Sequence, residues 1–369
     1  MAHGYFTSAD IVPASLDGVD LNRMWAELAD TLRLLNERRY ALAALLTFAT
    51  TDASDMVAQA SGRDDFEIAS EFGVPVGMRM RPDMLRLAYD FEDYDSATRF
   101  TARFLRDSTA QQIEAAHNMV LEADHRLVFR GVMRALLDPA ARENEHGQPV
   151  YALWNGADGL TPPPYLENTF TSTHSHYTVS GAALVDSGDL EALVDSVQEH
   201  GYGVDEGTQL LIFVNRTEGR HVRSFRAGQL NNNSVMANWD FVPSESAPSY
   251  LSSEQIVGSV PSAQFNRLPV IGGYGPALIV EDGLIPSGYV ICAATGGPGS
   301  ALNPIGFREH VQTAHQGLRH IPGPQPAYPL TGSTYTRAFG TGVRHRGAAA
   351  VMQVKASGSY QAPALGGVL

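Results

Sequence analysis

Lysine is nearly absent from this 369-residue chain: Lys355 is the single lysine, and arginine supplies the remaining positive side chains. A Walker-type phosphate loop needs a Gly-Lys-Ser/Thr triplet, whereas Lys355 follows a valine. An enzyme that forms a Schiff base would depend on Lys355 alone. The scarcity of lysine therefore argues against both classes of chemistry.

Cysteine and long apolar runs are also scarce. Cys292 is the single cysteine, which excludes a disulfide within the chain and a zinc site built on several cysteines. Its apolar surroundings predict a small core residue. No window approaches eighteen uninterrupted apolar residues, and the first residues lack the basic and apolar regions of a secretory signal. We expect a retained N terminus and synthesis in a reducing cytoplasm, without a membrane partner.

The charge balance is acidic. The formal net charge is −14, with 44% hydrophobic and 18% charged residues, a composition typical of folded globular proteins. This balance argues against a surface that binds nucleic acid on all sides, but it allows a local basic patch. The stretch 337–355 is such a patch, and it is interpreted either as salt bridges between subunits or as a surface facing packaged nucleic acid. Its basic residues are Arg337, Arg344, His345, Arg346 and Lys355.

Apolar residues alternate with other residues over a long segment that ends at Met80. The alternating residues are Phe66, Ile68, Phe72, Val74, Val76, Met78 and Met80. A period of two indicates an extended ribbon with one apolar face. Pro75 has no N–H for a sheet ladder, which favours an edge or a bend. We expect a neighbouring copy of the chain to cover the apolar face.

The rest of the sequence reads as a mixture of helices and short strands. Apolar spacing predicts a helix over residues 20–48, an irregular segment over 50–63, and a helical region over 95–137 that restarts near residue 108. A short amphipathic helix near residues 187–201 precedes a buried strand at 209–215, which together predict a small α+β unit.

The best lead for an enzyme is the pair His174 and His176. Two histidines two apart on a strand point the same way and can share a metal, with Glu309 and His310 as conceivable further ligands. The alternative is two polar strand residues in a stretch rich in threonine, serine and asparagine. We assign no catalytic, cofactor-binding or metal-binding residue and expect no cofactor and no enzymatic activity; a metal-dependent enzyme using this pair remains an alternative.

Two glycine-rich stretches resemble phosphate-binding loops only loosely, and one hydrolase motif is absent from the sequence. Gly296–Gly299 and Gly340–Gly342 lack the strand-loop-helix setting of a dinucleotide site, so we predict turns. No Gly-x-Ser-x-Gly elbow is present, which leaves an α/β-hydrolase without its nucleophile.

The order of these parts resembles the major capsid proteins of tailed bacteriophages, which share the Hong Kong 97 fold of the α+β class. Short stretches of sequence also resemble those of capsid proteins from actinobacterial phages and prophages. The resemblance covers roughly residues 66–354. The similar stretches of sequence are HSHYTVSG at 174–181, VN at 214–215, YGPA at 274–277, NPIGFREH at 303–310 and FGTGVRHRGAAAVM at 339–352.

The resemblance implies a division of the chain and a function. It implies an N-terminal arm at 1–49, an extended loop or β-ribbon at 50–88, a peripheral domain with a spine helix at 89–185, an axial domain at 186–300 and a return to the peripheral domain at 301–369. It further implies self-assembly into hexamers and pentamers of an icosahedral head shell around double-stranded DNA. The protein would then reside in the virion, after assembly in the host cytoplasm.

Two departures from this family refine the expectation. Some relatives join a ribbon lysine to an asparagine of a neighbour, but this ribbon has no lysine, so we expect non-covalent contacts alone. Only about sixty residues precede the ribbon, so we expect a separate scaffolding protein or none. Further expected partners are a portal and DNA bound non-specifically; a decoration protein is left open. An encapsulin-type nanocompartment shell is the alternative with the same fold.

Overall fold

The structure is a computed structural model that describes residues 14–37, 40–59, 68–69, 71–74, 84–204, 207–246, 260–322 and 330–366. The helices in these ranges are α1 (Leu21–Glu37), α2 (Ala41–Leu46), α3 (Ala102–Asp107), α4 (Ala110–Leu137), α5 (Ser187–Gln198) and α6 (Arg216–Val222). None of them is both long and apolar enough to cross a membrane.

Eighteen strands accompany the helices in the described ranges. They are β1 (Thr47–Thr50), β2 (Ser54–Ala58), β3 (Met84–Ala88), β4 (Glu92–Thr101), β5 (Arg142–Glu143), β6 (Pro149–Val150), β7 (Tyr177–Val179), β8 (Gln209–Val214), β9 (Phe241–Pro243), β10 (Gln264–Phe265), β11 (Leu268–Pro269), β12 (Gly272–Tyr274), β13 (Ala277–Glu281), β14 (Tyr289–Thr295), β15 (Ile305–Arg308), β16 (Arg319–Pro322), β17 (Leu330–Val343) and β18 (Ala349–Gln353).

Two sheets organise the molecule. The larger has the order β7-β18-β14-β8-β13-β12-β9, and its central strand β14 is buried along its whole length. The five-stranded sheet has the path β1-β15-β17-β16, with β4 also paired to β17. The α+β class inferred from the sequence is confirmed. Cys292 is fully buried in β14, as predicted, and burial raises the pKa of its thiol to about 12.

Helix α4 joins the two sheets through one shared core. A capping box between Thr109 and Gln112 starts the helix, and residues from α4, α2 and both sheets pack together in the largest apolar cluster. At about 1.5 Å per residue its 28 residues span about 42 Å. The predicted long helix ending at Leu137 is therefore confirmed.

The N-terminal helix is amphipathic and packs on the same chain. Leu21, Met24, Leu28 and Leu32 form its buried face, which contacts α4 and the region of β16 and β17. The predicted single helix over 20–48 is wrong beyond Glu37: α2 starts anew at Ala41, and Thr47–Thr50 becomes a strand because it pairs in parallel with β15.

Three further sequence predictions are wrong for the same reason, namely pairing with other strands. The predicted helical region over 95–137 begins as strand β4, which pairs with β17 as far as Thr101. The segment predicted to be irregular at 50–63 contains β2, which pairs with β3. Gly340–Gly342 lies within β17 rather than in a turn, whereas Gly296–Gly299 does form a turn.

The glycines of β15 and β17 make room for the chain that connects β3 to β4. A Cβ placed on Gly340 would lie 1.6 Å from the carbonyl oxygen of Asp90, and one on Gly306 would lie 2.1 Å from the Tyr89 ring. The connecting segment therefore crosses the five-stranded sheet at a distance that only glycine allows.

Candidate assembly surface and histidine cluster

Strands β2 and β3 are neighbours in space, and a segment of 25 residues, 59–83, joins them. These strands pair antiparallel from Ser54 opposite Ala88 to Ala58 opposite Met84. Residues 59–83 connect the two strands and are called the loop here; the structure describes residues 59, 68–69 and 71–74 of it. The pairing of β2 with β3 brings the two ends of this segment together at the body.

The described residues of the loop expose apolar side chains. Ile68 is 98% exposed, Phe72 is 92% exposed and Val74 is 90% exposed, and none of them lies in a helix or strand. Phe66, Val76, Met78 and Met80, which complete the predicted alternation, lie outside the described residues. The three described side chains are not covered by their own chain, and exposed apolar groups of this size are typical of contact surfaces.

The base of the loop is anchored to the body by polar contacts. The hydroxyl of Tyr89 donates a hydrogen bond to Asp55 on β2 at 2.7 Å, and Arg344 lies 3.4 Å from the same carboxylate. Burial, followed by the bond to Asp55, raises the pKa of the Tyr89 hydroxyl, so it remains a donor at neutral pH. These contacts hold the β2 end of the loop at the body.

Three arginines of the basic stretch 337–355 form ion pairs with carboxylates of the same chain. Arg337 on β17 pairs with Asp124 on α4 at 3.0 Å, and Arg346 pairs with Asp158. Arg344 likewise pairs with Asp55, so carboxylates of the same chain take the place that one of the two interpretations gave to neighbouring subunits. Three of the arginines in the basic patch thus stabilise the fold of one subunit.

His174 and His176 lie just before β7 and meet each other, as their spacing predicts. Their Nε2 atoms are 3.1 Å apart, and His176 is fully buried. Glu309 and His310 do not join them: within the described residues, the ring of His310 contacts His315 instead.

Two residues that the sequence analysis missed complete this group, which we call the histidine cluster: His174, His176, Glu199 and His200. Glu199 and His200 follow the last turn of α5. Burial lowers the pKa of His176 and of His200 to about 3 and raises the pKa of Glu199. The adjacent Glu-His pair at a predicted helix end was the available signal, but only tertiary packing brings it to the two earlier histidines.

Comparison with solved structures finds a strong similarity. A chain from the structure named Mycobacterium phage Patience is 42% identical, with a TM-score of 0.74, over 98% of this chain and 96% of that chain. No protein-family model matches the chain, and no curated protein matches it significantly.

Weaker similarities extend to other shells. A structure named "Capsid of empty GTA particle computed with C5 symmetry" is 12% identical, with a TM-score of 0.48, over 86% of this chain and 91% of that chain. The holo-SrpI encapsulin complex from Synechococcus elongatus PCC 7942 is 10% identical, with a TM-score of 0.46, over 90% of this chain and 97% of that chain.

The long helix and the two sheets, with the 42% identity over almost the full length, define the class as a shell-forming phage protein of the Hong Kong 97 fold. The chain belongs to the family of tailed-bacteriophage major capsid proteins, and it forms the icosahedral shell of the virion.

Proposed function

We propose that this chain assembles through non-covalent contacts into hexamers and pentamers of a head shell that encloses the double-stranded DNA of a phage. The observation that carries the assembly route is the exposed apolar group Ile68, Phe72 and Val74 on a loop whose base is anchored. Each such side chain buried on a neighbour contributes roughly 1.5–3 kcal/mol before the cost of ordering the loop. Repeated by symmetry, these contributions make closure cooperative.

The proposed role is structural and not catalytic. The subunit is made in the host cytoplasm and becomes part of the virion. Its assembly uses a separate scaffolding protein or none. The shell joins a portal, with or without a decoration protein on its surface. The packaged DNA contacts the shell non-specifically. We retain the division into arm 1–49, loop 50–88, peripheral domain 89–185, axial domain 186–300 and return 301–369. Strand β18 pairs with β7 on one side and with β14 on the other, which links three of these parts.

Electron microscopy of the expressed full chain tests the proposal. We expect closed icosahedral shells or rings of five and six subunits. Purified virions should contain DNA inside the shell, whereas a cargo enzyme would identify a nanocompartment. A protein that stays strictly monomeric at high concentration would overturn the proposal.

A matched pair of double variants tests the role of the loop. Phe72→Ala with Val74→Ala should reduce assembly at least about tenfold while leaving the unfolding midpoint of the isolated subunit unchanged, because neither side chain packs on its own chain. Met119→Ala with Val311→Ala removes two exposed apolar side chains elsewhere and serves as the control. Equal losses in both double variants would remove the special role of the loop.

Denaturing gel electrophoresis tests the prediction that no covalent bonds link the subunits of the shell. Lys355 lies 3.4 Å from the Ser359 carbonyl oxygen and 3.5 Å from Gln361 Oε1, near the end of the chain and far in sequence from the loop. Shells boiled in detergent should run as one band at the subunit mass of 39.8 kDa. A ladder of linked subunits would contradict this part of the proposal.

A further inference from the structure

The histidine cluster brings four potential ligand atoms to one point. Nε2 of His174 lies 3.1 Å from Nε2 of His176, 3.1 Å from Nε2 of His200 and 3.4 Å from Oε1 of Glu199. All four ligand atoms lie within 4.8 Å of one another. The group combines two segments that are more than twenty residues apart in the sequence, so local chain geometry does not account for the convergence.

Three of the six distances among these atoms match the edges of a tetrahedral metal site. Ligands placed at about 2.0–2.1 Å from a tetrahedral zinc ion lie about 3.3–3.4 Å from one another. The separations around His174 Nε2, 3.1 to 3.4 Å, are close to these edges. Imidazole nitrogen and carboxylate oxygen are both established zinc ligands.

The number of protons available to the histidine cluster also favours a bound cation. Nδ1 of His176 lies 2.6 Å from the carbonyl oxygen of Ala349, which can only accept, so Nδ1 carries the proton and Nε2 presents a lone pair to the cluster. A neutral His174 has at most one proton on Nε2, yet that atom faces three polar atoms. One proton cannot serve all three contacts, whereas a cation in their midst would use a lone pair from every ligand.

The surroundings hold the ligands in place. The Ala349 carbonyl orients His176, an arrangement that is typical of the groups behind metal-bound histidines. Phe170 stacks on the His200 ring at 4.1 Å between centroids, and a Cβ on Gly347 would lie 2.7 Å from Cγ of that ring. The site is therefore organised before any ion binds.

The neighbouring charge is compensated. Arg346 lies close enough to His176 to oppose a positive charge there. Its guanidinium pairs with Asp158 and donates to the carbonyl of Ala152 at 2.8 Å. Glu199 adds a negative charge at the cluster itself, which reduces the cost of placing a divalent cation beside the arginine.

We propose that His174, His176, Glu199 and His200 bind one divalent transition-metal ion, zinc foremost, in a closed structural site. All four positions of a tetrahedron are filled by protein, so the site lacks the open position that a catalytic zinc ion needs. The ion ties the end of α5 to the segment before β7 and, through Ala349, to β18. This interpretation departs from the sequence-based expectation of no metal and from the alternative of a metal-dependent enzyme.

Metal loading of the full chain tests the proposal. The protein is stripped with chelator, loaded with zinc chloride, dialysed and analysed for bound metal. We expect about one zinc ion per subunit, an unfolding midpoint raised by several degrees on loading, and the visible spectrum of a tetrahedral site when cobalt replaces zinc.

Variants distinguish this site from adventitious binding. Glu199→Gln and His174→Gln, both partly exposed, should weaken zinc binding about tenfold or more and abolish the zinc-dependent rise of the midpoint. His174→Cys, which restores a zinc ligand, should regain binding. The control His310→Gln with His315→Gln removes another histidine pair in ring contact and should bind zinc normally.

Two outcomes would overturn the proposal. One is less than about a tenth of an ion per subunit in the loaded native protein, which would leave the cluster as a proton-sharing group. The other is equal zinc retention by the native protein and by Glu199→Gln and His174→Gln subunits that circular dichroism shows to be folded. Both readouts are taken on the subunit, so they do not depend on whether shells form.

Discussion

At the scale of single residues, the ion pair between Asp124 and Arg337 fixes α4 against β17. The Asp124 side chain is 2% exposed and that of Arg337 is 11% exposed, and their atoms approach to 3.0 Å. Burial raises the pKa of Asp124, and the Arg337 charge opposes that rise. The pair therefore matters less for its net attraction than for the cost of leaving either charge alone.

Removing one partner of this pair should be strongly destabilising. Asp124→Ala should lower the free energy of unfolding by about 3–5 kcal/mol, because the buried Arg337 charge would remain uncompensated. Denaturant unfolding of unassembled subunits measures the loss. The control Glu27→Ala breaks the exposed pair with Arg23 and should cost less than about 1 kcal/mol. Similar losses in the two variants would contradict the distinction.

His117 makes the stability of the subunit depend on pH. Its ring is buried between Trp25, Phe100 and Tyr335, and burial, with a smaller contribution from His320, lowers its pKa to about 4. An unfolded histidine has a pKa near 6.5. Between about pH 6.5 and 4 the unfolded chain thus binds a proton that the native chain does not, so stability falls as the pH falls.

The variant His117→Gln isolates this contribution. The amide can still bond to the Tyr335 hydroxyl but does not titrate, so the loss of unfolding free energy on acidification from pH 6.5 to 4 should be smaller than in the native protein. Other histidines still titrate, hence the comparison is between slopes and not absolute values. His146→Gln, which removes an exposed imidazole, is the control. Identical slopes for His117→Gln and the native protein would exclude His117 as a source of acid sensitivity.

At the scale of elements, β17 offers two glycines with opposite surroundings. A Cβ on Gly340 would collide with the Asp90 carbonyl oxygen at 1.6 Å, whereas a Cβ on Gly332 meets nothing within 4 Å. Gly340→Ala should cost about 3 kcal/mol or more, because backbone must move, and Gly332→Ala should be neutral or slightly stabilising. Thermal unfolding measures both, and equal midpoints would show that the β3–β4 connection does not press on the strand.

The helices and strands also differ in how well the local sequence predicts them. Helices α4 and α5 follow from apolar spacing because each buries one face regardless of its partner, and β8 follows from an unbroken apolar run that is buried on both faces. Strand β4 does not, since its apolar residues, such as Phe100, also fit a helical repeat into α3. Its extended form is set by pairing with β17, more than two hundred residues away. Local propensity is too weak to decide against such a partner.

The histidine cluster illustrates the same limit. The two-residue spacing of His174 and His176 is visible in the sequence, and the structure brings their rings together. Glu199 and His200 reach them only because α5 packs against β14 and β18. For the loop, the apolar alternation predicts a face that another molecule covers, and its described members Ile68, Phe72 and Val74 are exposed on their own chain.

At the scale of the whole molecule, charge and apolar surface act in opposite directions during assembly. Each subunit carries a formal charge of −14, so subunits repel one another at low ionic strength. The described apolar side chains of the loop, Ile68, Phe72 and Val74, gain from burial at any ionic strength. Salt screens the repulsion over about 10 Å at 0.1 M and over about 3 Å at 1 M, and it leaves the apolar contribution in place.

We therefore expect assembly of purified subunits to increase as salt is raised from about 0.05 M to 0.5 M, as followed by light scattering and electron microscopy. The Phe72→Ala with Val74→Ala variant should remain poorly assembled at both concentrations, because screening removes repulsion without supplying a contact. If the native protein instead disassembles steadily as salt rises, ion pairs between subunits and not the apolar loop hold the shell. The intrachain partners of Arg337, Arg344 and Arg346 argue for the first result, since those charges are already neutralised within each subunit.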